Sequence, residues 1–157
     1  SDPVRLVLQT PNGWLEGREL IKSANITVID RVLSRREMAS LMQSANCYVS
    51  ATRSDAWNMP GLEAMACGLC IIGPGFSGMG DYLEKAKVKL ILRHYRKVPA
   101  DGPGVWLEPD VDELGAAMRL AFDRRLDGLE NASVVRKNFT WECSAQHMID
   151  AILSVLD

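Results

Sequence analysis

Residues 47–72 read CYVSATRSDAWNMPGLEAMACGLCII, and this stretch decides the fold. Cys47 to Ser50 is short and β-prone. Pro60 suits the first turn of a helix, where its missing N–H costs nothing. Leu62, Ala64, Met65 and Ala66 carry that helix forward, and Gly68 is a natural C-terminal cap. Leu69 to Ile72 is apolar throughout, as expected of a strand covered on both faces. Strand, helix and strand in so short a span make a β-α-β unit, the building block of a parallel sheet.

The flanks repeat the alternation. Val4 to Leu8 and Ile26 to Ile29 read as strands, and the turn cluster Thr10-Pro11-Asn12-Gly13 and a short helix over Trp14 to Lys22 lie between them. Ser34 with Glu37 forms a capping box ahead of the stripe Met38, Leu41, Met42 and Ala45. Gly73 to Gly80 reads as a flexible loop, Asp81 to Glu84 as a short helix, Val88 to Leu92 as a strand, and Arg93 to Gly104 as loop. Asp110 with Glu113 repeats the capping pattern before Leu114, Ala117, Met118, Ala121 and Phe122. Thr140 caps a last helix bearing Ala145, Met148, Ile149, Ile152 and Leu156. The expected class is α/β: a Rossmann-like parallel sheet with helices on both faces. In such sheets ligands bind beyond the carboxyl ends of the strands. That rule points to the loops after Leu8, Ile29, Ser50 and Ile72.

Composition narrows the function classes. With 47% hydrophobic and 24% charged residues, the chain is ordinary for a globular domain. A net charge of −2 gives no basic surplus, so no nucleic-acid partner is expected. No apolar run reaches the roughly 20 residues of a membrane span, and no secretory leader is read at Ser1 to Leu8. Cys67 and Cys70 form a C-x-x-C, but a zinc site needs a second close pair, and the apolar surroundings favour thiols acting as small hydrophobes. Reduced thiols make the cytoplasm the expected location.

The loop before Pro60 carries the residues that chemistry would use. A helix N-terminus offers N–H donors to a phosphate or an oxyanion, and Glu63 is placed in the first turn. By itself that position suits a dipole-stabilised structural charge at least as well as a ligand contact. The segment, however, resembles the E-x7-E signature of the group 1 retaining glycosyltransferases of GT-B fold. Pro60, Glu63, Ala64, Met65, Ala66 and Gly68 match in place, and Asp55 takes the first acidic position with seven residues before Glu63. Residues 34–49, Ser77-Gly78 with Asp81, and Phe139-Thr140-Trp141-Glu142 resemble the family's flanking elements in the right order.

The resemblance implies the C-terminal, donor-binding half of such an enzyme. Glu63 would accept hydrogen bonds from the ribose hydroxyls of a nucleoside-diphosphate sugar, and Asp55 would orient the transferred sugar. N–H groups of Trp57, Asn58 and Met59, in the loop that Pro60 closes, would hold sugar hydroxyls and pyrophosphate. Arg31 would lie near the base, and Gly78 would line the donor site. The family retains the anomeric configuration and usually uses no metal, so no cofactor is expected.

The sequence also departs from the family. Asp55 is one methylene shorter than the usual Glu, and Ala56-Trp57-Asn58 replaces a glycine-aromatic-glycine loop. The expected organisation is one domain over 1–157, short of its first strand–helix unit with the pyrophosphate-gripping Arg and Lys, and of the N-terminal acceptor domain that would be its partner. On this reading the fragment is inactive alone, and the whole enzyme works in polysaccharide or glycoconjugate synthesis in the cytoplasm, with peripheral association at the inner membrane face. Two other readings stand beside it: a non-catalytic binding or interaction module that kept the fold, and a sugar-nucleotide epimerase. Trp14, Trp106 and Trp141 are expected to pack on the sheet. His94 and His147 have no catalytic partner in sequence, and the basic run Arg93, His94, Arg96 and Lys97 reads as solvated.

Overall fold

The computed structural model describes residues 4–10 and 25–156. The turn expected over 11–13 and the helix expected over 14–22 lie outside them, with Trp14. The chain divides into two compact units, residues 1–38 and 39–157.

In the first unit, β1 (Leu6–Thr10) pairs in parallel with β2 (Ile26–Asp30), Leu8 opposite Val28. Thr10 Oγ1 donates to Asp30 Oδ1 at 2.8 Å, tying the two carboxyl ends together. The chain then enters α1 (Arg35–Ser44) through the expected capping box. The Ser34 N–H donates to Glu37 Oε2 at 2.9 Å and the Glu37 N–H to Ser34 Oγ at 3.3 Å.

The second unit is built on a parallel sheet of β3 (Cys47–Val49), β4 (Cys70–Pro74) and β5 (Leu90–Leu92), with β4 central. All five residues of β4 are buried, because helices cover both of its faces. On one face Cys70 and Ile72 pack with Leu90, Leu92 and Ala121 of α4 (Val111–Asp123). On the other lies α3 (Ser77–Lys85), whose Met79 and Leu83 are fully buried. A Cβ at Gly73 would meet Met79 Cε at 2.1 Å, so glycine leaves room on the strand for the end of the Met79 side chain. The flexible loop expected over 73–80 is not found: β4 runs on to Pro74 and α3 begins at Ser77.

The α/β, Rossmann-like class read from the sequence is the class observed, with its parallel pairs in two sheets. Two elements differ from expectation. Residues 95–109, read largely as loop, form an antiparallel ribbon of β6 (Tyr95–Pro99) and β7 (Val105–Pro109). The prolines terminate its strands instead of forbidding them, and Arg96 faces Glu108 across it. An unexpected helix, α5 (Leu129–Asn138), packs on α2 (Met59–Ala66). The last helix, α6 (Trp141–Leu156), starts as expected, with the Cys143 N–H donating to Thr140 Oγ1 at 3.2 Å. Trp141 does not pack on the sheet; it is 84% exposed. No helix among the described residues is long and apolar enough to cross a membrane.

Candidate functional site

At the carboxyl end of β3 the chain makes a loop, residues 50–58, that is closed by a single side chain. Asp55 Oδ1 accepts from the backbone N–H groups of Trp57 (3.1 Å) and Asn58 (2.7 Å). Its Oδ2 accepts from Asn58 Nδ2 at 3.3 Å. A short carboxylate bonding its own backbone two and three residues on is the turn that aspartate favours. Two of the three N–H groups expected to face a ligand, those of Trp57 and Asn58, are therefore engaged inside the loop. Only Met59 keeps an N–H not bonded to a loop side chain.

Asn58 is the hub. Its backbone is left-handed (φ 56), a conformation asparagine tolerates better than most residues. Its Oδ1 caps α2 by accepting from the Gly61 N–H at 2.9 Å, and also accepts from the Tyr48 hydroxyl at 3.1 Å. Its Nδ2 donates to Ser50 Oγ at 3.1 Å, and its carbonyl accepts from the Tyr82 hydroxyl at 3.2 Å. Burial first, and then the charge of Asp55, raise the Tyr48 phenol above its ordinary value; the bond to Asn58 opposes them, and Glu63 adds a smaller push upward. Tyr82 is raised by burial, Tyr48 and Asp55. Both phenols thus stay protonated and serve as donors.

This cap starts α2 at Met59, one residue before Pro60, so Glu63 sits past the first turn and not within it. Its side chain is exposed and makes no hydrogen bond or ion pair with a described residue. It is nonetheless close enough to Tyr48 for its charge to act on the phenol. The far end of α2 is closed by Arg136 of α5, whose Nε (3.0 Å) and Nη2 (2.6 Å) both donate to the Ala66 carbonyl.

A second connection, residues 75–76, leads from β4 into α3 and brings α3 against this loop. Ser77 Oγ donates to the Asp55 carbonyl at 2.6 Å, and the Gly78 N–H to the Ala56 carbonyl at 3.2 Å. A Cβ at Gly78 would lie 2.1 Å from that carbonyl and 2.6 Å from Trp57 Cε3, so only glycine permits this approach. The Trp57 ring is edge-on to Tyr82 (5.7 Å between centroids) and 6.2 Å from Phe139, packed beneath the loop. On the outer side, the Leu107 N–H donates to the Arg53 carbonyl at 3.1 Å, and Arg53 ion-pairs with Glu108 at 2.5 Å and lies over Trp106. Arg96 pairs with the second oxygen of Glu108. Those bonds, led by the one from Arg53, outweigh burial and hold Glu108 below the ordinary carboxylate range.

Arg31 belongs to the first unit, where its Nη2 donates to Glu37 Oε1 at 2.8 Å. This bond and those from Ser34 lower the Glu37 carboxyl to about 2. His94 has an acid partner that sequence spacing did not show: Glu113 Oε1 lies 3.1 Å from Nδ1. Glu113 does not close a capping box. It takes the N–H groups of Arg93 and His94 and so fastens the end of β5 to α4.

Cys70 finds its thiol neighbour in Cys47, its register partner on β3, rather than in Cys67. All four cysteines are free thiols. Among the described residues no three His, Cys, Asp or Glu side chains cluster as metal ligands would.

Of the residues expected to act together, Asp55, Trp57, Asn58, Met59, Pro60, Glu63 and Gly78 share the loop, the helix and the adjoining turn at one sheet edge. Together they present an exposed carboxylate and a loop held by internal hydrogen bonds, with the Trp57, Tyr82 and Phe139 rings packed together. A family model described as glycosyl transferases, group 1, matches residues 3–119. Among curated proteins, none matches the chain.

Proposed function

From the premise that this chain belongs to the group 1 glycosyl transferases, we propose that it binds the donor, a nucleoside-diphosphate sugar, and that Glu63 accepts the hydroxyls of the donor's ribose. One observation carries this reading. Glu63, on the helix that leaves the carboxyl end of β3, has a carboxylate not bonded to any described residue, whereas both oxygens of Asp55 are engaged in its own turn. A carboxylate accepting from a vicinal diol forms charge-assisted bonds, about twice as strong as neutral ones. The site then contributes orientation and stabilisation of a leaving diphosphate. Retention of the anomeric configuration, metal-free transfer, an N-terminal acceptor domain as partner and a cytoplasmic site of action belong to the same proposal.

Titration calorimetry of this chain with UDP, GDP and ADP tests it. One of the three is expected to bind, and Glu63→Ala to weaken that binding by about 10- to 100-fold, the worth of one or two hydrogen bonds to a charged group. Folded protein that binds none of them, or a Glu63→Ala variant that binds as well as wild type, would overturn the reading. A non-catalytic module of the same fold draws support from the internal use of the Trp57 and Asn58 N–H groups. It predicts that Glu63→Ala in the full-length protein leaves biological output unchanged.

A further inference from the structure

We infer that Asp55 is a positioning residue: it fixes the Trp57–Asn58 turn, and through it the start of α2, without touching the donor sugar. The inference rests on the donor-binding reading for its link to ligand, and on geometry for the rest. Three donors, the N–H groups of Trp57 and Asn58 and the Asn58 side-chain amide, engage both carboxylate oxygens. The backbone carbonyl of the same residue is taken by Ser77 Oγ at 2.6 Å. The turn so fixed presents Asn58 in a left-handed conformation, with its amide held between Ser50 and Gly61. Asn58 sets the register in which α2 begins, and that register decides where Glu63 lies. Loss of the Asp55 carboxylate would therefore be felt at Glu63 without any contact between the two.

Chain length at position 55 separates the two roles. Asparagine keeps one acceptor oxygen at the same reach and can rebuild the turn. Glutamate keeps the charge but carries it one methylene too far to close it. A positioning role predicts that Asp55→Asn is the mildest change and that Asp55→Glu resembles Asp55→Ala. Contact with the sugar predicts the reverse order for Asn and Glu.

The test combines two measurements on this chain. Amide hydrogen exchange without ligand is expected to be slow at Trp57 and Asn58 in wild type and in Asp55→Asn, and at least about tenfold faster in Asp55→Glu and Asp55→Ala. Calorimetry uses whichever nucleoside diphosphate binds wild type, together with its glucose conjugate. The expected result is a parallel loss for both ligands, about threefold in Asp55→Asn and about tenfold or more in the other two variants. Selective loss of affinity for the glucose conjugate, tighter binding by Asp55→Glu than by Asp55→Asn, or slow exchange retained in Asp55→Ala would each overturn the inference. If no nucleoside diphosphate binds even wild type, the donor reading fails, and the exchange measurement still decides whether Asp55 holds the turn.

Discussion

Helices α2 and α6 are both apolar for much of their length, and they use that character in opposite ways. In α2, eight residues long, Gly61, Leu62, Ala64 and Met65 are buried and both ends are closed by side chains, Asn58 at one and Arg136 at the other. In α6, twice as long, Met148 is 62% exposed, Ile152 56% and Leu153 54%. Eight residues are too few for a helix to persist alone in water, and roughly 12–15 make it only marginal. So α2 exists because of what surrounds it, while α6 leans on its own length, its Thr140 cap and an i, i+4 bond from Gln146 to Asp150 at 2.8 Å. Apolar periodicity announces a helix in both cases; it does not announce which one is buried.

Paired substitutions test that contrast most directly. Met65→Ala, at a fully buried position, is expected to cost about 3 kcal/mol in urea unfolding, within the usual range for emptying a core site. Met148→Ala on α6 should cost under about 0.5 kcal/mol. Equal losses would show that α6 is packed in solution.

The caps should differ as well, by less. Asn58→Ala removes a helix cap and leaves the Tyr48 hydroxyl and Ser50 Oγ without their side-chain partner, while the Tyr82 bond to the backbone carbonyl is kept, so about 2–3 kcal/mol is expected. Thr140→Ala should cost about 1 kcal/mol. Thermal unfolding of the two variants side by side checks the order, and a Thr140 variant that loses more would invert the comparison.

The smallest effect belongs to α1. Glu37 titrates at about 2 in the folded chain against an ordinary 4.5, because the Arg31 hydrogen bond and those from Ser34 favour its charged form. Its stabilising contribution is thus complete above pH 4.5 and lost as pH falls towards 2. Carbon-detected NMR titration should place the Glu37 midpoint near 2 and move it towards 4.5 in Arg31→Ala.

What the sequence made legible was local. The capping residues Ser34, Asp110 and Thr140 were readable because their partners lie three residues on, and the β-α-β unit because its pieces are contiguous. The ribbon of β6 and β7 was not, since the pairing of Arg96 with Glu108 is a cross-strand event and the prolines masked its strands. Helix α5 offered only Ala132 and Val135 as buried positions, too thin a stripe to notice. At the site, the spacing of Asp55 and Glu63 stood out. The roles of Tyr48 and Tyr82 did not, because they reach Asn58 from 10 and 24 residues away. Nor could spacing reveal that Asp55 spends its oxygens on its own turn.

Asn58 carries a consequence for how this protein can drift. Glycine would relax the left-handed backbone but discard every side-chain bond made there. Aspartate would keep the acceptor for Gly61 and lose the donor to Ser50, while turning a second negative oxygen towards Asp55. With Ser50, Tyr48 and Gly61 arranged as they are in this chain, an acceptor, a donor and that backbone are wanted at once, and of these three residues asparagine alone supplies them all.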